Sequence, residues 1–317
     1  MDTTEQIILP TVGRFDRKVG SIGILPMPIQ ISCSPDGKYI ACVNEDKSYY
    51  LWSKEGKQLS TFGYDRKEVT SLSFSQGRYI TCGRLSDDYG GYDLDFWKIT
   101  PYFEHKHSTT PVGGAENVKS LKKICEGYDI AYSHSGKLIA YSKKNEVVIC
   151  EDDTYLTTLK FKNTFKILWS PDDSYILVSD LISIEIWETN KWEKVKTFSL
   201  CFPKGISWSP DSQHLAIATA EINVWETTNW SKVRSFGYIY EAPSRKIEWV
   251  GNHYLAILCP NNGSLEVVNA FDEKQPRYQP PTFYNIGHKS MCWSPENKLY
   301  CVMYDNVIVY DTQAIPV

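Results

Sequence analysis

One short pattern recurs along the chain at intervals close to 40 residues: an apolar strand ending on an aromatic residue or Cys, a tight polar turn, then a second apolar strand. The turns start at Ser34, Ser75, Ser133, Ser170, Ser209, Val250 and Ser294, spaced by 41, 58, 37, 39, 41 and 44 residues. The residue ahead of each turn is Cys33, Phe74, Tyr132, Trp169, Trp208, Trp249 or Trp293. Self-similarity at a period of roughly 20–50 residues marks a repeat architecture, in which each unit buries its apolar face on a neighbour.

The unit from Gly205 to Phe236 is the clearest. Ile206-Ser207-Trp208, the turn Ser209-Pro210-Asp211-Ser212, Leu215-Ala216-Ile217-Ala218, Ile222-Asn223-Val224-Trp225 and Lys232-Val233-Arg234-Ser235-Phe236 read as four short strands joined by turns. Pro presets the backbone angle of the first turn, and Asp can bond its own downstream amide. The preceding unit is nearly a copy: Ile184-Glu185-Ile186-Trp187-Glu188-Thr189 matches Ile222-Asn223-Val224-Trp225-Glu226-Thr227 at an offset of 38 residues. Antiparallel four-stranded meanders set radially satisfy this pattern and leave only short edges.

A repeat that fills the chain from Ile29 to Asp311 predicts one domain over residues 1–317, despite a length that could hold two. The formal charge of -4, from 34 basic and 38 acidic residues, provides no chain-wide cationic field for nucleic acid or an anionic membrane. Met1-Asp2-Thr3-Thr4-Glu5 lacks the basic stretch and apolar core of a secretory signal, and no apolar run reaches the roughly 18 residues that span a bilayer. Nine cysteines, an odd number without a Cys-x-x-Cys pair, fall mostly inside apolar strands at Cys33, Cys42, Cys82, Cys150, Cys292 and Cys301. Buried free thiols in a reducing, cytoplasmic setting are the expectation.

The chain resembles the WD40-repeat β-propellers. The resemblance rests on the Ser34-Pro35-Asp36-Gly37 turn, its variants at Ser170-Pro171-Asp172-Asp173, Ser209-Pro210-Asp211-Ser212 and Ser294-Pro295-Glu296-Asn297, and an aromatic closing the third strand at Trp52, Trp97, Trp187, Trp225 and Tyr310. Cys150 and Val268 take that place in the third and sixth units. The Trp-Asp dipeptide is absent, Trp187-Glu188 and Trp225-Glu226 come close, and Gly-His occurs only at Gly287-His288. The resemblance implies an all-β, seven-bladed β-propeller of four-stranded antiparallel blades, held by packing more than by the family's Asp-His-Ser-Trp network. After Asp311 too few residues remain for a last outer strand, so the segment from Ile8 to Phe15 is expected to supply it and close the ring.

In such a meander the first and third turns lie at one end of the blade. The second turn and the inter-blade link lie at the other, which the family calls the top. The second unit is the longest, both in its second turn around Asp88 and Tyr89 and between Trp97 and Asp129, an insertion of about residues 98–129. Assigning that excess to the link puts both expansions on the top, where function tends to reside on loops above a rigid scaffold. The insertion carries Tyr102, Phe103, Glu104, His105, Lys106 and His107, a mixture found in interface patches. Gln275-Pro276-Arg277-Tyr278-Gln279-Pro280-Pro281-Thr282-Phe283-Tyr284 is a stiff, aromatic second candidate. Its aromatics either anchor a partner or cover the seam between the sixth and seventh blades. The expected partner-binding residues are Asp88, Tyr89, Tyr102, Phe103, His105, His107, Arg277, Tyr278, Phe283 and Tyr284.

Catalytic and metal chemistry have no motif. Asp87, Asp88, Asp93 and Asp95 lack the calcium-loop pattern, and Asp93 and Asp95 flank Leu94 in an expected strand. His105 and His107 lack a third ligand. His134, His214, His253 and His288 sit in or beside turns. No Gly-x-Ser-x-Gly elbow, phosphate loop or His-Glu-x-x-His helix occurs. The expectation is a non-catalytic interaction scaffold or adaptor without cofactors, binding a protein partner over its top face. The alternatives are a sensing propeller within a multiprotein machine and a channel-based hydrolase or lyase.

Overall fold

The structure is a computed structural model that describes residues 6–8, 11–16, 28–44, 49–56, 58–62, 69–74, 79–85, 92–103, 112–125, 129–143, 145–151, 154–199, 203–236, 246–259, 264–272, 274–275, 277–279, 288–303, 306–313 and 315. Among these residues every regular element is a β-strand, and no helix is long and apolar enough to cross a membrane. The chain divides into two compact units, Ser32–Cys201 and Met1–Ile31 with Phe202–Val317.

In the first of these units the sheets follow chain order. The first is β3 (Pro28–Cys33), β4 (Tyr39–Asn44), β5 (Tyr49–Ser53) and β6 (Gln58–Phe62). The second is β7 (Val69–Phe74), β8 (Tyr79–Leu85), β9 (Tyr92–Phe103) and β10 (Val112–Cys125). The third is β11 (Ile130–Tyr132), β12 (Leu138–Lys143), β13 (Glu146–Glu151) and β14 (Thr154–Lys160). The fourth is β15 (Lys166–Trp169), β16 (Tyr175–Ser179), β17 (Ser183–Glu188) and β18 (Glu193–Ser199).

The other unit holds the fifth sheet, β19 (Gly205–Trp208), β20 (His214–Ala218), β21 (Ile222–Glu226) and β22 (Lys232–Phe236). The sixth contains β23 (Lys246–Val250), β24 (Tyr254–Cys259), β25 (Ser264–Asn269) and β26 (Arg277–Gln279). The last contains β27 (His288–Ser294), β28 (Lys298–Met303) and β29 (Asn306–Asp311). These antiparallel meanders are propeller blades.

The expected count of seven four-stranded blades is corrected to six, because the N-terminal segment contributes two strands and not one. β2 (Thr11–Asp16) pairs antiparallel with β29 and supplies the outer strand of the last sheet, as expected. β1 (Gln6–Ile8) runs parallel to β26, matching Gln6 with Arg277 and Ile8 with Gln279, and makes the sixth sheet five-stranded. Pro10, which has no N–H to give a ladder, separates the two in sequence.

Two of the Trp residues ahead of the turns fasten adjacent blades within a unit. Trp169 Nε1 donates to the Ala131 carbonyl at 3.1 Å, and Trp249 Nε1 donates to the Ser207 carbonyl at 3.0 Å, in each case reaching the first strand of the preceding sheet. Tyr132 N similarly donates to Ser73 Oγ at 3.1 Å. Apolar clusters lie between blades. Ala131, Ile149, Phe161 and Trp169 bridge the third and fourth sheets, and Tyr254, Tyr278, Leu299 and Tyr310 bridge the sixth and seventh.

The turns owe their shape to a Ser-x-Asp device. Ser34 Oγ donates to Asp36 at 2.7 Å and accepts from Tyr39 N at 2.9 Å. Ser170 with Asp172 and Tyr175, and Ser209 with Asp211 and His214, repeat the arrangement. The fourth turn residue has positive φ, at Gly37 and Gly136 but also at Asp173, Ser212 and Asn297. Cys42, Cys150 and Cys301 are not disulfide-bonded, as expected. Cys33 and Cys292 are disulfide-bonded, which corrects the expectation of free thiols for these two.

Candidate interaction surface

Strand order fixes which end of a blade each loop occupies. The Ser-x-Asp turns and the third turns share the turn end; the second turns and the links into the next first strand share the link end. In the second sheet β8 starts at Tyr79 opposite Lys98, yet β9 continues to Phe103 and pairs back through Val112 into β10. The excess length between Trp97 and Asp129 is therefore a third-turn hairpin overhanging the turn end, and not an expanded link on the top. Its strands overhang the sheet by about five residues, some 17 Å at the usual strand rise.

This splits the expected site. Tyr102 and Phe103 close β9 at the turn end, and Asp93 and Asp95 lie within β9, as expected. Asp88, Tyr89, His105, His107, Phe283 and Tyr284 lie outside the described residues. Tyr278 is only 2 % exposed, with its ring 5.8 Å from that of Tyr254, so it packs the seam between the sixth and seventh blades. Arg277 faces Glu266 at 3.4 Å.

The link end of the third and fourth sheets carries a surface that sequence reading passed over. The link from Phe161 to Phe165 is anchored by buried Phe161 and Thr164. Asn163 turns it with φ of 54°. Phe165 N donates to the Ser179 carbonyl at 2.7 Å, fixing that backbone against the end of β16. The adjoining second turn is pinned by Asp180, whose Oδ1 accepts from Ile182 N and Ser183 N at 2.7 and 2.6 Å. On this ordered frame Phe165, Leu181 and Ile182 are 52 %, 51 % and 64 % exposed.

Beneath them lies a charged latch. Asp129 Oδ2 accepts from Ile167 N at 2.8 Å and faces Lys166 Nζ at 3.3 Å, joining the first strands of the two sheets. Burial drives the Asp129 carboxyl above the usual carboxylate range, against the pull of Lys166 and the Ile167 N–H. Around the patch Lys143 faces Glu146 at 3.8 Å, whereas exposed Lys160 and Lys162 form no ion pair among the described residues. Groups of His, Cys, Asp or Glu able to hold a metal are absent among the described residues.

A signal for this surface was present in the two near-copy repeats. The fifth sheet fixes Lys204 N to the Ala218 carbonyl at 2.8 Å, in the manner of Phe165 and Ser179. It carries Lys204 where the fourth carries Phe165, and its second turn is one residue shorter, Thr219, Ala220 and Glu221 standing where the fourth has Asp180, Leu181, Ile182 and Ser183. The fold builds this corner without apolar residues, so their presence in the fourth sheet is not a demand of the fold.

With this geometry the chain is a propeller-type, blade-built scaffold. The family described as "Eukaryotic translation initiation factor eIF2A" matches residues 107–235. The chain is 23% identical over 222 residues to Protein HIR1 of Cryptococcus neoformans, covering 60% of this chain and 25% of that protein. It is 24% identical over 255 residues to Protein hir1 of Schizosaccharomyces pombe, covering 67% and 26% respectively. The chain thus spans about a quarter of the length of these relatives.

Proposed function

We propose that this chain is a non-catalytic protein-interaction scaffold that receives a protein partner at the link end of its third and fourth blades. The observation that carries the reading is the exposure of Phe165, Leu181 and Ile182 on a hydrogen-bonded frame. Contiguous exposed apolar residues rimmed by polar ones are the surface of an interaction site. The triple variant F165K/L181A/I182E replaces three exposed side chains and is expected to fold. Affinity capture from the native host should recover a partner with the parent chain and lose it with the variant. Equal recovery by both would move the site elsewhere.

A second reading, a subunit of a larger assembly, is supported by the match to a translation initiation factor family over residues 107–235, the stretch that contains this surface. Co-sedimentation with ribosomal particles, sensitive to the same variant, is the expected outcome of that reading. A chain that stays at the top of the gradient would contradict it.

A further inference from the structure

Resting on the scaffold reading, we infer that the link end of the third and fourth blades receives an acidic peptide segment carrying apolar anchor residues. The apolar centre is supplied by Phe165, Leu181 and Ile182. Its charge is one-sided. Lys160 ends β14 ahead of the link and Lys162 lies within it, both without an ionic partner among the described residues. The acidic groups described on this end already have partners. Asp129 is buried against Lys166, Asp180 accepts from the turn it pins, and Glu146 faces Lys143.

An incoming carboxylate therefore meets two free ammonium groups, whereas an incoming lysine meets Asp129 and Glu146 already facing lysines and Asp180 with its Oδ1 spent on its own turn. Charge complementarity of this kind selects the partner and speeds encounter, while the desolvated apolar centre supplies the affinity. Three bulky apolar side chains at the same end as the lysines suit a peptide better than a polyphosphate, which offers no apolar group to bury. The surface is also ordered before binding, because Phe165 N, Ile182 N and Ser183 N are all hydrogen-bonded, so little conformational freedom is lost on docking.

The test uses the full chain and three synthetic peptides in fluorescence anisotropy: one of Asp, Glu, Leu and Phe, one with its acids replaced by Lys, and one with its Leu and Phe replaced by Ser. The first is expected to bind, more weakly as salt is raised. The other two should each bind about tenfold or more weakly, as should the first peptide to K160E/K162E and to F165K/L181A/I182E. Equal binding of the acidic and basic peptides overturns the inference, and so does tighter binding of single-stranded RNA than of the acidic peptide. If capture from the host is lost in F165K/L181A/I182E while the acidic peptide fails to bind, the partner chemistry is wrong and the scaffold reading stands. If that variant captures its partner normally, the scaffold site itself is wrong.

Discussion

Trp169 and Trp249 show how a single residue sets the repeat. Each is almost wholly buried and spends its indole N–H on a carbonyl of the neighbouring first strand. Trp169→Phe keeps an apolar ring but removes the indole N–H that bonds the Ala131 carbonyl, and should cost about 1 kcal/mol in urea unfolding. An unchanged midpoint would mean the bond contributes nothing. Glu248 sits on the first strand of the sixth sheet, where burial raises its carboxyl to about 7 from 4.5, against the Trp293 N–H, the Ser207 hydroxyl and Lys246. The folded state thus holds this proton more tightly than the unfolded chain. Its contribution is complete below pH 4.5 and is lost as pH rises to about 7, a swing on the order of 3 kcal/mol. Glu248→Gln should flatten that slope and leave the chain more stable than the parent above pH 7. A slope that survives the substitution would assign it to another group.

Among the elements, the hairpin of β9 and β10 is where sequence and structure part. The four strands around Trp208 were legible because alternation, Ser-Pro-Asp turns and a near-copy in the next unit all agreed. Val112 to Cys125 contains Gly113, Gly114, Lys119, Lys122 and Lys123, weak strand formers whose pairing depends on a long partner strand. Register shifts between Val112 and Gly114, Asn117 and Lys119, and Leu121 and Cys125 further blur its period of two. The candidate surface escaped for a different reason. Exposure of Phe165 depends on buried Phe161 and Thr164 turning the link around Asn163, which no local pattern reveals. Replacing residues 101–114 with a short turn leaves the pairing of Ile99 with Ala115 intact. That variant should fold and still capture its partner; loss of capture in a folded variant would return the site to the turn end.

On the scale of the whole chain, the N-terminal segment is structural. β1 and β2 complete two different sheets, and β2 covers the edge of β29 from Thr11 to Asp16. Deleting residues 1–16 exposes both edges, and the thermal midpoint should fall by several degrees, at about 1.5 °C for each kcal/mol lost in a chain of this size. An unchanged midpoint would make both strands dispensable. The account's central claim is that a partner docks on the link end of the third and fourth blades. Hydrogen exchange of the full chain, alone and with its captured partner, tests this most directly. Protection on binding should concentrate at residues 160–166 and 179–183. Protection confined to residues 98–103 and 112–116, at the turn end of the second sheet, would place the partner on the opposite end and contradict the account.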